Sequence, residues 1–372
     1  MIKKQGFLAS IPSFAIFNNE LDSSVIPSFI LHKEAEDDFE RKLLYLKENN
    51  YLTLGIEDYY GYLSGRKNNN NKKVIITFDD GLRNNWSIIF PLLKKYDAKA
   101  VFYVNPSNIS DEIGLLPNLE DVWSGKIALQ ELKGFDKQYP FIGWQEARKM
   151  EASGLVDIES HSWEHKICFT SDKIVDFERP AKDGSSLNPW LFTAIDKSSE
   201  DNIFGSPVYP YQPRLLARRF FDDTGLRQVC IETVKSNGGR DFFLRRGWKE
   251  RLQKAVVDYK KAHRLETRFE NEIEQELAIK NSLEKSKLEI ESRLNKQCLH
   301  FAFPWNMGGN LSVLWLKELG FKTVFRYMNS WNMPRAGSDL FGLCRVEGCW
   351  VGSLPGKGRE LVWDKLRNRF IK

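Results

Sequence analysis

Three places in this chain carry residue types that can do chemistry together. Asp79 and Asp80 are adjacent carboxylates. His161 and His165 lie four positions apart in a chain with only five His. Pro304 and Trp305 follow a third apolar run. Adjacent carboxylates at a buried strand end are costly if both are ionised and unpaired, and a divalent cation offsets that cost. A single Asp there would also suit the cap of a helix beginning near Asn84, which explains one carboxylate better than two. Two imidazoles four apart face one way on a helical turn. With one carboxylate they form a familiar open ligand set for a catalytic metal, water taking the other positions.

The elements that must position these groups follow from apolar spacing. Residues 74–78 form a continuous β-branched and aromatic run, as in a strand buried on both faces. Asp79, Asp80 and Gly81 stand at its C-terminal end. The spacing predicts a helix over 84–96, kinked at Pro91, and a strand over 100–104. Helices are expected at 37–49, 56–63, 144–152 and 311–319. Short strands are expected at 51–54, 156–158, 299–303, 322–326 and 343–346. Residues 10–17 read as the first strand and 18–30 as an irregular loop. The strand at 156–158 runs into His161, and the one at 299–303 ends at Pro304. Strand–helix alternation implies a parallel sheet, whose ligands bind at the carboxyl ends of the strands. All three residue sets therefore fall on one rim.

Between the second and third sets the sequence changes character. Residues 170–240 are irregular, with Pro180, Pro189, Pro207, Pro210 and Pro213. Residues 245–296 are highly charged and read as one or two long helices. Ile273, Leu277 and Leu288 fall near one helical line, with Ile279, Leu283, Ile290 and Leu294 beside it. Glu274, Gln275, Lys285, Glu289 and Arg293 take the opposite side, which predicts an exposed helix packed by one face.

Composition narrows the class. The 372 residues are 42% hydrophobic and 28% charged, which is globular and excludes a disordered or fibrous chain. No run approaches the roughly 18 apolar residues of a membrane span. Fifty-five Lys and Arg against 50 Asp and Glu give +5, too thin an excess to argue for nucleic acid and compatible with an anionic ligand. Five Cys without a CxxC pair argue against a disulfide scaffold and a thiolate zinc site. A phosphate-binding P-loop, a dinucleotide fingerprint and a GxSxG elbow are absent, so phosphoryl transfer, nicotinamide redox chemistry and serine hydrolysis have no motif support. Lys3 and Lys4 precede an apolar run over 6–17, but Pro12 interrupts it and no clean cleavage site follows, so a signal peptide is not expected.

Thr77, Phe78, Asp79, Asp80 and Gly81 resemble the TFDDG motif of polysaccharide deacetylases, the NodB-homology or carbohydrate esterase group. His161 to His165 is similar to that family's H-[ST]-x-x-H motif. Ala302, Phe303, Pro304 and Trp305 resemble its R-x-P-[YF] motif with the Arg replaced. The resemblance covers roughly residues 10–168 and 298–350. It implies a distorted (β/α) barrel of about seven units, here with a largely helical insertion. The expected layout is a first part of the barrel over 1–169, the insertion over 170–297, and the last part of the barrel with a C-terminal tail over 298–372.

The resemblance implies metal-dependent removal of an N-acetyl group from an amino sugar in a glycan or glycan precursor. Asp79 would be the catalytic base. Asp80, His161 and His165 would hold one divalent ion; zinc is expected, with nickel, cobalt, iron or manganese as alternatives. The Trp305 backbone N–H would help stabilise the oxyanion, and Pro304 and Trp305 would line the acyl pocket. Arg345, near the last strand, stands as a substitute for the missing motif Arg or as a substrate-binding residue. Some relatives place the general acid at the end of the first strand; Ile16, Phe17 and Asn18 occupy that stretch and put Asn18 in the His position. His32 is therefore the candidate acid, ahead of His263 and His300. The resemblance further implies a free, nucleotide-linked or lipid-linked carbohydrate substrate in surface polysaccharide or lipopolysaccharide assembly. It points to a cytoplasmic location, with peripheral contact to the inner membrane as a variant. Two other readings remain open: hydrolysis of another C–N bond, in a formamide or a cyclic amide, and a catalytically impaired glycan-binding homologue.

Overall fold

The computed structural model describes residues 11–17, 20–22, 24–67, 72–188, 190–195, 203–329 and 331–363. It divides into two compact units. One contains Lys166–Lys280 and Gly309–Ser312; the other contains the described residues up to His165, Asn281–Gly308 and the described residues from Val313.

The second of these units is a closed parallel barrel. Its strands are β1 (Ser28–Leu31), β2 (Lys73–Phe78), β3 (Ala100–Val104), β4 (Val156–Ser160), β5 (His300–Ala302), β6 (Thr323–Met328) and β7 (Leu343–Glu347). They pair in the order β1–β7–β6–β5–β4–β3–β2, and β2 returns to β1. Phe29 is in register with both Val346 and Ile76, which closes the ring. β2 and β3 are buried at every position, the pattern of strands covered on both faces. Ile75, Val101, Tyr103, Ala302, Phe325 and Leu343 fill the interior, with Tyr59 stacked on Phe325. Ile75, Val101, Phe325 and Leu343 each contribute roughly 1.5–3 kcal/mol by leaving water.

The helices between these strands include α1 (Glu36–Glu48), α2 (Ile56–Leu63), α3 (Phe90–Tyr96) and α4 (Trp144–Ala152). α1 buries Phe39, Leu43 and Leu46, whose spacing of four and three puts them on one face. The bend expected at Pro91 takes the form of a π-helical turn, Asn85–Ile89, that leads into α3 with Pro91 in its first turn. Pro lacks the N–H that an α-helical interior would need, and a first turn leaves that donor unused.

The start of the barrel differs from expectation. Ser13–Ile16 is a single helical turn rather than a strand, and Ser10 lies outside the described residues. The first barrel strand is β1, which begins within the segment expected to be a loop and ends one residue beyond it. Its four residues are too few to show a period, and their strand character comes from pairing with β2 and β7.

The other unit joins helices to small antiparallel sheets. Ile167–Phe169, Tyr211–Pro213, Phe220–Phe221 and Arg268–Phe269 form one four-stranded sheet. Two or three residues per strand leave no alternation for sequence reading to detect. α5 (Thr224–Ser236) and α6 (Trp248–Ala262) pack through Leu226, Cys230, Val234, Leu252 and Val256. α7 (Glu272–Leu294) runs from this unit into the barrel unit. Its buried line is Ile279, Leu283, Ser286 and Ile290, whereas Ile273, Leu277 and Leu288 are exposed. α8 (Asn310–Glu318) precedes β6. All five cysteines are free thiols. Among the described residues, no helix is long and apolar enough to cross a membrane.

Candidate metal and catalytic site

The three residue sets meet at the carboxyl ends of β2, β4 and β5. Asp79 and Asp80 leave β2, His161 leaves β4, and Pro304 follows β5 after Phe303. The backbone is bent sharply at each departure. Asp80, Ser162, Trp305 and Asn306 all have φ between 55° and 74°. The left-handed region costs a non-Gly residue roughly 1–2 kcal/mol. Such outliers persist only where surrounding contacts hold them, and they concentrate at functional sites.

His161 and His165 come together through a bent loop, not the helical turn expected from their spacing. Ser162 reverses the chain at φ 72°. Asn105, at the end of β3, donates from Nδ2 to the His161 carbonyl at 2.6 Å and to the Ser162 carbonyl at 3.2 Å. The Ser162 hydroxyl donates to the Glu164 carbonyl at 2.9 Å. Ser286 of α7 meets Ser160, the last residue of β4, at 2.7 Å between hydroxyl oxygens.

His161 Nδ1 stands 2.8 Å from the Ala302 carbonyl oxygen. A carbonyl can only accept, so Nδ1 carries the proton and Nε2 presents its lone pair. That Nε2 faces Asp80 Oδ1 at 3.6 Å and Asp79 Oδ2 at 3.8 Å. His165 Nε2 is also 3.6 Å from Asp80 Oδ1. These separations are too long for hydrogen bonds. They are close to the spacing of about 3.3–3.6 Å between donors held some 2.0–2.2 Å from one tetrahedral zinc ion. Asp80 Oδ1 is buried with no hydrogen-bond partner in the protein. A buried carboxylate oxygen left in that state is costly unless a cation meets it. Asp80, His161 and His165 therefore fit a divalent metal ion, and the Ala302 carbonyl supplies the outer contact that orients a ligating His.

Electrostatics separate the roles. Burial drives both imidazoles down, partly opposed by Asp79 and Asp80, and His165 falls to about 4. Both rings are neutral near pH 7, the form that coordinates metals. Burial pushes the Asp79 carboxyl up, but Arg345 and His161 outweigh it and hold the group at about 2. Arg345 meets Asp79 through two bonds, Nη1 to Oδ1 at 2.6 Å and Nη2 to Oδ2 at 2.7 Å. The guanidinium has no exposed surface. Ala302 stands where the resembled motif has Arg, and Arg345 reaches the Asp79 carboxylate from β7.

His32 directly follows β1 and is exposed. The corrected strand assignment thus places His32, not Asn18, at the end of the first strand; Asn18 lies outside the described residues. His32 is near enough for its charge to act on Asp79 and His165. Asn84, beyond the Asp pair, fixes the segment after His32: its amide accepts from Glu34 N at 2.9 Å and donates to Glu34 O at 3.1 Å. The other histidines are engaged elsewhere. His300 begins β5 and meets Thr323 and Glu57. His263, in the other unit, is exposed and stacks on Tyr259.

The Trp305 ring packs on His165 with centroids 3.9 Å apart. Pro304 is buried in the same turn. Sequence reasoning missed Asn306, whose amide oxygen meets Arg345. Its one legible signal was its residue type: Asn is several-fold enriched in the left-handed region that this turn requires.

Comparison with known proteins comes to rest on the same segment. Residues 66–183, which include Asp79, Asp80, His161 and His165, match the family model described as polysaccharide deacetylase. A stretch of 119 residues is 31% identical to poly-beta-1,6-N-acetyl-D-glucosamine N-deacetylase of Escherichia coli (strain K12). It covers 32% of this chain and only 16% of that enzyme's length. The structure of IcaB from Ammonifex degensii aligns with TM-score 0.52 and 15% identity, over 92% of this chain and 100% of that one. The deacetylase domain of BpsB from Bordetella bronchiseptica aligns with TM-score 0.51 and 14% identity, over 87% and 96%. At these identities the two structures speak for the barrel fold.

Proposed function

From a barrel whose residues 66–183 carry a polysaccharide deacetylase domain, we propose that this protein is a metal-dependent de-N-acetylase of an N-acetylated amino sugar in a glycan. The observation that carries the reading is the pairing of two unlike sites on one rim. Asp80, His161 and His165 bring a carboxylate and two neutral imidazoles together as donors that fit a divalent ion, and beside them Asp79 is a carboxylate held ionised by Arg345.

Asp80, His161 and His165 would hold the ion. A divalent metal supplies a nucleophilic water at neutral pH and polarises the acyl oxygen. Asp79 takes the proton from the attacking water, and its salt bridge to Arg345 keeps it charged and aimed. Arg345 has no surface to offer a substrate, so its role is to position the base. The Trp305 backbone N–H donates to the developing oxyanion, while its indole and Pro304 wall the acetyl pocket. His32 gives the departing amine its proton. The C–N bond breaks, and acetate and a free amino sugar result. In this reading the substrate is a surface-glycan or lipopolysaccharide precursor met in the cytoplasm.

Acetate release from a panel of N-acetylglucosamine oligomers and nucleotide-linked N-acetylhexosamines tests the assignment. The metal-loaded protein should release acetate and leave a free amine on at least one of them. Release of formate from N-formyl sugars, with none of acetate, would move the activity to a different C–N bond.

A further inference from the structure

The Arg345 guanidinium has five N–H donors, and the fold directs all of them. Nη1 reaches Asp79 Oδ1 at 2.6 Å and Thr77 Oγ1 at 3.1 Å. Nη2 reaches Asp79 Oδ2 at 2.7 Å and Asn306 Oδ1 at 2.7 Å. Nε reaches the same Asn306 oxygen at 2.9 Å. One fully buried cation thus joins the end of β2 to the turn after β5.

We propose that Asn306 is a positioning residue: with Arg345 it forms a clamp that sets the Trp305 turn at a fixed place relative to the Asp79 carboxylate. This deepens the deacetylase reading, because it couples the base to the turn whose N–H meets the oxyanion.

Two features make Asn suited to the place. Residue 306 has φ 55°, directly after Trp305 at the same φ, and Asn tolerates that conformation better than most residues with a Cβ. Its amide oxygen is also a neutral acceptor. A carboxylate in that position would compete with Asp79 for the guanidinium charge, whereas an amide leaves the charge to the base. The Asn306 N–H closes the turn by donating to the Phe303 carbonyl at 2.8 Å. Arg345 in turn rests on Thr77, whose hydroxyl donates to the Phe29 carbonyl at 2.8 Å. The clamp therefore reaches from the oxyanion turn through Arg345 and Thr77 to β1, the strand that His32 directly follows.

Asn306→Gly separates the two roles of the residue. Glycine accepts the left-handed backbone freely, so the amide contact to Arg345 is lost without backbone strain, and the added backbone freedom is confined to the turn itself. Hydrogen exchange is the primary measurement, because it does not depend on activity. In Asn306→Gly, exchange should quicken together in peptides covering 77–81 and 303–308, by about tenfold or more as these segments open more readily. Should that variant fail to fold, Arg345→Lys asks the same question and should quicken exchange at 77–81 and 303–308 together. In steady-state assays kcat of Asn306→Gly should fall about 10²-fold, the scale of a misplacement near 1 Å, with KM and metal content within about twofold of wild type. Quickened exchange at 303–308 alone, or at neither segment, overturns the clamp and leaves Asn306 as a backbone residue only. A wild-type protein that releases no acetate from any N-acetylated sugar would defeat the deacetylase reading, while the exchange result would still decide the clamp.

Discussion

Arg345 and Asp79 are 266 positions apart in the chain and meet in a two-pronged ion pair of 2.6 and 2.7 Å. The pair is sealed from solvent, with side-chain exposures of 0% and 2%. It joins the last barrel strand to the end of β2.

Breaking this pair should cost stability as well as activity. Arg345→Ala leaves an uncompensated buried carboxylate, for which about 3–5 kcal/mol is expected. Urea unfolding of the metal-free protein measures it. Arg345→Lys should lose less, because one charge contact survives. An Arg345→Ala protein as stable as wild type would mean that Asp79 is not ionised in the fold.

The depressed Asp79 carboxyl also predicts a pH dependence. Its folded value, about 2, lies below the ordinary 3.8. The unfolded chain therefore binds more protons between those values, and stability rises with pH across them. The contribution is full above about pH 4 and is lost as pH falls towards 2. Melting temperatures of metal-free wild type and Asp79→Asn should converge over that window. Parallel curves would remove Asp79 as the source.

The ligand cluster makes a separate prediction. Elemental analysis should find about one divalent ion per chain, and His161→Ala and Asp80→Asn should each lose it. Metal that binds the folded protein should raise its melting temperature, and chelation should reverse the rise. Full metal content in both variants would place the ion elsewhere.

His32 is tested as the acid by its pH–rate profile. General acid help is typically worth about 10²–10⁴-fold, so His32→Gln should lower kcat by that order. The basic limb of the profile should flatten while metal content stays unchanged. An unaltered profile would remove His32 from the reaction.

Much of this site could be read before the fold. The TFDDG run and the histidine pair were legible because buried parallel strands announce themselves as unbroken apolar runs, and the reactive residues sit just past their ends. β1 was not legible: Ser28–Leu31 is four residues long, while the run over 10–17 looked more strand-like and instead contains the helical turn Ser13–Ile16. That single misplacement put Asn18 rather than His32 at the end of the first strand, although His32 was the acid candidate on other grounds. The loop from His161 to His165 was misjudged for a different reason, since four-residue spacing cannot reveal a left-handed Ser162. Arg345 could be named but not given its partners, because ion pairs across hundreds of residues leave no local pattern. On α7, period alone could not say which of two adjacent apolar lines is buried.

The most direct test of the account is a paired measurement on Asp79→Asn: bound metal and acetate release from an N-acetylated sugar that the wild type deacetylates. The account predicts about one metal ion per chain, as in wild type, with kcat lower by about 10²–10⁴-fold. A variant that keeps its metal and releases acetate at the wild-type rate would contradict it.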